Sequence, residues 1–213
     1  AFLDAELRGD RAARAKLSQM TSVAGGGDDH VLIAYNGAAQ GPSTPLNFGG
    51  LWWNAPGGSE SGWGINFAHQ GDVIFATWLT YDLAGKPWWL SMTAVNTGGN
   101  TFAGTLYETR GPAFNAIPFE PGAVTLRAVG LGTLTFRDAD SGAFAYVVDG
   151  VVQTKVITRE IFASPVPVCA FGASPDLAAA TNYQDLWWNA PAGSESGWGI
   201  NLTHQGDIIF ATW

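Results

Sequence analysis

The sequence predicts a mainly β protein: an eight-stranded antiparallel meander closing into a barrel, with a two-sheet sandwich as the alternative and a short helical segment at the N-terminus. Three observations predict it. From Gly50 to Phe162, strand-like runs and turn residues follow one another at 8–15-residue spacing, which marks a meander and not a series of βαβ units. Charged residues make up 13% of the 213-residue chain, about half the usual share, beside ten Trp and 28 Gly, a neutral-polar, aromatic profile. Finally, Leu51–Trp78 recurs as Leu186–Trp213 with 24 of 28 residues identical, so the chain reads as one full unit and the start of another.

The elements follow in order. Residues 1–20 (AFLDAELRGDRAARAKLSQM) are helical in pattern: Phe2, Leu3 and Leu7 fall near one face, Gly9 can end a first helix, and Asp10 can cap a second through Leu17. Residues 21–48 carry the Gly25–Gly27 run, the short apolar run His30–Tyr35 and a stretch of linker composition. Strands are then expected over 50–54, 62–70, 72–81, 87–95, 101–109, 128–137, 142–149 and 151–162. Asp149-Gly150 marks a hairpin, because a type I′ turn needs positive φ at both central residues; Gln70-Gly71-Asp72 and Asp82–Gly85 act similarly. Residues 111–127, with Pro112, Pro118 and Pro121, form the one long irregular connection. Closure of the eight strands would remove the exposed edges of an open sheet. The organisation expected is thus 1–35 as the end of an upstream domain, 36–48 a linker, 49–162 a complete β module, 163–184 a second linker, and 185–213 the first three strands of a second module.

In the second strand, Trp63, Ile65 and Phe67 alternate with Gly64, Asn66 and Ala68, and the Trp63 face is assigned to the interior. Leu202 for Phe67 and Ile208 for Val73 in the second copy read as compensating changes in a shared apolar core, while Thr203 for Ala68 falls on the opposite face. Three lone strands cannot bury Trp187, Trp188, Trp198 and Trp213 unaided, so they should be disordered, pack on the first copy or pair with another chain.

Composition excludes some functions. A net charge of −8 with a pI near 4.6 argues against nucleic acid, whose phosphates need a basic patch, and four of the ten basic residues lie within Arg8–Lys16. No apolar run approaches the ~18 residues needed to span a bilayer. Cys169 is alone and forms no intrachain disulfide. Low Lys and Cys with abundant Trp, Thr, Gly and Asn lean toward an exported, extracellular or periplasmic protein.

Asn54, Ser59, Glu60, Ser61, Asn66, His69, Gln70 and Asp72 recur unchanged in both copies, with Trp52, Trp53, Trp63 and Trp78 as aromatic neighbours. Recent duplication alone would explain this, and most have turn or loop roles. Glu60 between two serines in a Gly-rich loop is least explained by folding; it could bind sugar hydroxyls or a hard cation through oxygen. Ser59, Ser61, His69 and Asp72 supply the residue types of a nucleophilic hydrolase without the G-x-S-x-G frame, and Glu60 with Asp72, Asp82 or Glu108 could form a carboxylate pair. The doublets Trp52-Trp53 and Trp88-Trp89 each place one indole inside and one outside, since strand neighbours point to opposite faces. Outward indoles on adjacent strands would make a flat platform for sugar rings or for a neighbouring repeat. The candidate ligand-binding set is Trp53, Asn54, Ser59, Glu60, Ser61, Asn66, His69, Trp78, Trp88 and Trp89, with Trp188, Asn189, Ser194, Glu195, Ser196, Asn201, His204 and Trp213 in the second copy. We read no catalytic residue, cofactor or metal site from it.

The LWWNAP-GSESGWGIN-HQGD-IFATW block, continued by Thr80-Tyr81-Asp82, Gly85-Lys86-Pro87 and Trp88-Trp89-Leu90, resembles a Trp-rich repeat near the C-termini of exported bacterial proteins, including secreted hydrolases. That resemblance implies export and an accessory role. Residues 1–17 are similar to the last helix of secreted α/β-hydrolases of the dienelactone-hydrolase or polyester-hydrolase type, which implies catalytic residues upstream of Ala1. Gly50–Asn54 with the following Gly-Ser also resembles the start of avidin-type barrels; that likeness would put Asn54 and Ser59 at a small-ligand site, although Glu60 and the second copy's Asp185 depart from the pattern. The function expected is a non-catalytic secreted module that binds a polymeric or carbohydrate-like substrate for an attached hydrolase. The alternatives are a structural array of packed neighbouring repeats, a hydrolase using Glu60, His69 and Asp72, and an avidin-like small-ligand barrel.

Overall fold

Alternation of large apolar and small or polar residues along each run decides the architecture. The computed structural model describes residues 46–164, 166, 182–191 and 193–213. The helical segment expected at 1–20, most of both linkers and Cys169 lie outside the described residues.

Eight strands, β1 (Gly50–Asn54), β2 (Gly64–Gln70), β3 (Val73–Tyr81), β4 (Pro87–Gly98), β5 (Thr101–Arg110), β6 (Thr125–Phe136), β7 (Ser141–Val148) and β8 (Val151–Arg159), pair in sequential order. All pairs are antiparallel, and β1 closes on β8 with Trp52 opposite Arg159, Trp53 opposite Thr158 and Asn54 opposite Ile157. The result is a closed barrel and not a sandwich. Asp149 and Gly150 both have positive φ (45° and 83°), as their hairpin requires.

Inward rows fill the barrel, as expected where eight strands leave room for side chains only. Trp52, Ile65, Phe67, Ile74, Leu90 and Leu134 are among its buried residues, with Trp63 and Trp78 in the same cluster. The interior assignment of the Trp63 face therefore holds. The paired changes do not share a core, however: Val73 points outward and is 36% exposed, because its parity in β3 is opposite to that of buried Ile74 and Trp78. In β6 the register shifts opposite Leu106 and Tyr107, and a Cβ on Gly130 would lie 1.7 Å from the Val147 carbonyl oxygen, so the β6–β7 ladder closes only around a glycine.

One barrel end is sealed by residues ahead of β1. Phe48, at the end of the stretch read as linker, is 1% exposed and stacks on Phe136 at 3.8 Å and on His69 at 5.5 Å. The Trp52 indole N–H donates to the Phe48 carbonyl at 2.9 Å. Arg159 clasps this end: its guanidinium lies 5.0 Å from the Trp52 ring and donates to the carbonyls of Asn47 (3.0 Å), Ala139 (2.9 Å) and Gly49, and to Asp140 (3.0 Å).

The second copy forms a three-stranded sheet of β9 (Asp185–Trp187), β10 (Ile200–Gln205) and β11 (Ile208–Thr212), in the order β11-β10-β9. Its register repeats that of β1–β3: Ile200 faces Trp187 as Ile65 faces Trp52, and Asn201 faces Thr212 as Asn66 faces Thr77. Of the three outcomes open from sequence, the structure adopts packing on the first copy. Asn201, Thr203 and Gln205 are at most 2% exposed against the outside of the barrel, whereas Trp187 and Trp213, equivalent to buried Trp52 and Trp78, are 51% and 73% exposed.

Two substitutions test this architecture by urea denaturation. Gly130→Ala should lower stability by about 3 kcal/mol, because the methyl meets backbone that cannot yield, while Gly122→Ala, with nothing within 4 Å of its Cβ, should be near neutral. Arg159→Ala should cost about 2–4 kcal/mol by stripping several carbonyls of a charged donor.

Candidate functional site

The antiparallel order sends the β1–β2, β3–β4, β5–β6 and β7–β8 connections to one end of the barrel, opposite the Phe48 seal. Asn54, the last residue of β1, organises the first of these loops. Its Nδ2 donates to Glu60 Oε1 (3.1 Å) and Ser59 Oγ (3.3 Å), Ser59 Oγ donates back to the Asn54 carbonyl (3.4 Å), and the Trp63 N–H closes on the Glu60 carbonyl (3.1 Å). The loop also fits against Trp53, whose indole lies 2.5 Å from where a Cβ on Gly57 would be.

Glu60 is also held by Lys155 of β8, the strand paired with β1, Nζ to Oε1 2.5 Å. Beside this pair, the Tyr146 hydroxyl donates to Gln153 Oε1 at 2.5 Å. Beneath it lie Trp63 and Trp78, edge to face at 6.1 Å, with Trp78 also 4.6 Å from Tyr146 and 5.2 Å from Phe144. Both indole N–H groups are buried without a hydrogen-bond partner. Burial first, and the Glu60 charge second, push the Tyr146 phenol up to about 12; the Trp63 N–H is close enough to oppose that rise but closes no hydrogen bond of acceptable geometry. At neutral pH the site therefore holds a neutral phenol, one ion pair, and two free donors in aromatic surroundings.

The remaining candidates are divided among other places. Asn66 is fully buried beneath the second sheet. His69 belongs to the Phe48 seal: Nδ1 accepts from the Phe48 N–H at 3.0 Å, which leaves Nε2 to donate to the Gly71 carbonyl at 2.9 Å. It lies at the far end of β2 from Ser59, Glu60 and Ser61, roughly 20 Å along a seven-residue strand. The Ser–His and Glu60–His69–Asp72 groupings are thus not assembled. Asp82 accepts the Ala84 and Lys86 N–H groups of its own turn. Glu108 pairs with Arg127 at 2.8 Å, and that hydrogen bond, ahead of the Arg110 and Arg127 charges, holds its carboxyl below the usual range. Neither joins Glu60 as a carboxylate pair.

The Trp doublets split as expected, with Trp52 buried, Trp88 packed against the core and Trp89 43% exposed. Trp53 and Trp89 occupy β1 and β4, which β2 and β3 separate, so these outward indoles do not share adjacent strands. In the second copy Asn189 holds Glu195 at 2.8 Å and Ser194 bonds the Asn189 carbonyl at 3.5 Å, Ser196 is exposed, Trp188 is 69% exposed, and His204 Nδ1 accepts from the Tyr183 N–H at 3.2 Å. These local bonds repeat the first copy's without a closed barrel around them.

Sequence reasoning missed Lys155, Tyr146 and Gln153. The available signal was parity: Gln153, Lys155 and Arg159 share the face of buried Ile157, while Val152 and Val156 point outward, 73% and 61% exposed. Among the described residues no three His, Cys, Asp or Glu side chains gather as metal ligands, and no helix is long and apolar enough to cross a membrane. No family model matches the chain, and no curated protein or solved structure is similar enough to match.

The His69 seal predicts a pH dependence. Burial holds its pKa below the ordinary value of 6.5, against the smaller pulls of the Gly71 hydrogen bond and the Asp72 charge. As pH falls through 6.5 the unfolded chain takes up a proton that the folded chain refuses, so stability present above that pH is lost. Melting temperature should fall between pH 7 and pH 5.5, and by less in His69→Gln, as calorimetry at both pH values would measure.

Proposed function

We propose that the barrel is a non-catalytic module of an exported protein, binding a carbohydrate-like, hydroxyl-rich ligand, such as the end of a polysaccharide chain, for an attached hydrolase. The observation that carries this reading is the pair of buried, unpartnered indole N–H groups of Trp63 and Trp78 beside the Asn54–Glu60–Lys155 and Tyr146–Gln153 groups. A buried donor without an acceptor costs on the order of 1–3 kcal/mol, which ligand oxygens placed there would offset. Aromatic walls suit the apolar faces of sugar rings, and the ion pair and phenol suit their hydroxyls. The separation of serine from histidine supports a binding role over a hydrolytic one.

A second reading, a structural array, is favoured by one observation: the polar outer face carrying Asn66 is spent on packing between the two copies. Retention on insoluble polysaccharides and polyesters distinguishes the two. We expect retention on a polysaccharide, weakened about tenfold by Lys155→Met and by Trp78→Phe with unchanged circular dichroism. Passage of the wild-type chain through every matrix would leave the structural reading in place.

A further inference from the structure

We infer that the outer face around Asn66 and Ala68 is a self-recognition surface: its partner is a second copy of the same segment, met face to face about a local two-fold axis. The hydrogen bonds between the copies are reciprocal. Asn66 Nδ2 donates to the Asn201 carbonyl at 3.2 Å, and Asn201 Nδ2 donates to the Asn66 carbonyl at 3.3 Å. These are equivalent residues, 135 positions apart. A second equivalent pair meets as well, since a Cβ on Gly49 would lie 2.7 Å from the Gln184 side chain. At the level of strands, β1 lies against β10 and β9 lies against β2, each contact being the other's image. Such mutual contact of identical patches defines an isologous interface; a translated or screw-related stack would put unlike residues together.

One departure from symmetry falls between identical residues, since Asn66 Nδ2 also donates to Thr212 Oγ1 at 3.2 Å with no image bond from Asn201 to Thr77; two others fall where the copies differ in sequence. Thr203 Oγ1 donates to Asn66 Oδ1 at 2.9 Å. The symmetric bond would run from residue 68 to Asn201 Oδ1, but residue 68 is Ala, and Asn201 Oδ1 is the one side-chain oxygen among the described residues left buried without a partner. Likewise Gln70 donates to Asp185 at 2.9 Å, and the image residue of Asp185 is Gly50; the image of Gln70, Gln205, turns to the Phe162 and Ala163 N–H groups and the Glu160 carbonyl. A two-fold contact is closed once formed, so copies of the segment associate in pairs and not as an open stack. This holds whether or not the barrel end binds a sugar, because the two sites share no side chain.

Exchanging the two asymmetric residues in the full chain tests the axis, with amide hydrogen exchange of residues 200–212 as the readout. Thr203→Ala should lower protection about tenfold by orphaning Asn66 Oδ1. Ala68→Thr should raise it several-fold by supplying the missing donor to Asn201 Oδ1. The double exchange Ala68→Thr/Thr203→Ala mirrors the interface and should return protection to within about twofold of wild type. Lower protection in Ala68→Thr, or summed losses in the double variant, would overturn the two-fold assignment; unchanged protection in Thr203→Ala would do the same. Barrel amides in β4–β7, remote from the interface, report whether each variant is folded.

Discussion

Everything in this molecule passes through β1. Five residues close the barrel against β8 on one edge and β2 on the other, and their alternation serves different masters. Trp52 points inward to the seal, Leu51 points outward beneath the second sheet, and Asn54 ends the strand by folding the Glu60 loop. A slip of one residue would exchange the faces and lose all three at once. Arg159, paired opposite Trp52, guards against that slip by fixing the chain immediately before β1 to the end of β8.

Having the same segment in two settings separates what is local from what is not. The loop bonds of Asn54 and Glu60 reappear in Asn189 and Glu195, and the indole-to-carbonyl bond of Trp52 reappears from Trp187 to Tyr183 at 3.0 Å. These need only the segment itself. Burial of the indoles is different: Trp52 is fully buried and Trp187 half exposed, because the walls that cover Trp52 come from strands far along the chain. The identity of the two copies in sequence therefore guarantees the three-stranded unit but not the core.

That separation also explains how much could be read without coordinates. Strand positions, the face of Trp63, and the inward and outward split of each Trp doublet follow from period-two alternation and turn residues, which are local properties. Barrel closure agreed with the expected meander because its eight strands are sequential. Less was legible where an assignment depends on what lies opposite. Asn66 and His69 looked like ligand groups because nothing in the sequence says that a second sheet covers one and Phe48 caps the other. In β8 Lys155 and Arg159 turn inward, where Glu60 and the Asn47–Gly49 carbonyls, contributed by segments far away in the sequence, receive them. Val73 differs from these: its outward position follows from parity in β3 alone, opposite to that of Ile74 and Trp78, whatever its apolar character.

The clasp at Arg159 has a mechanical side. The chain enters the barrel at Asn47 and leaves it after Arg159 at the same end, on neighbouring strands, where the Glu160 N–H still reaches the Leu51 carbonyl at 2.7 Å. Tension applied along the connecting segments would load β1 and β8 in the unzipping direction, in which hydrogen bonds fail one after another. Because one guanidinium spans the entering strand, the leaving strand and the Ala139–Asp140 turn, that load reaches several bonds together before any ladder bond is strained. The barrel can thus transmit force between whatever it joins while its interior stays unperturbed.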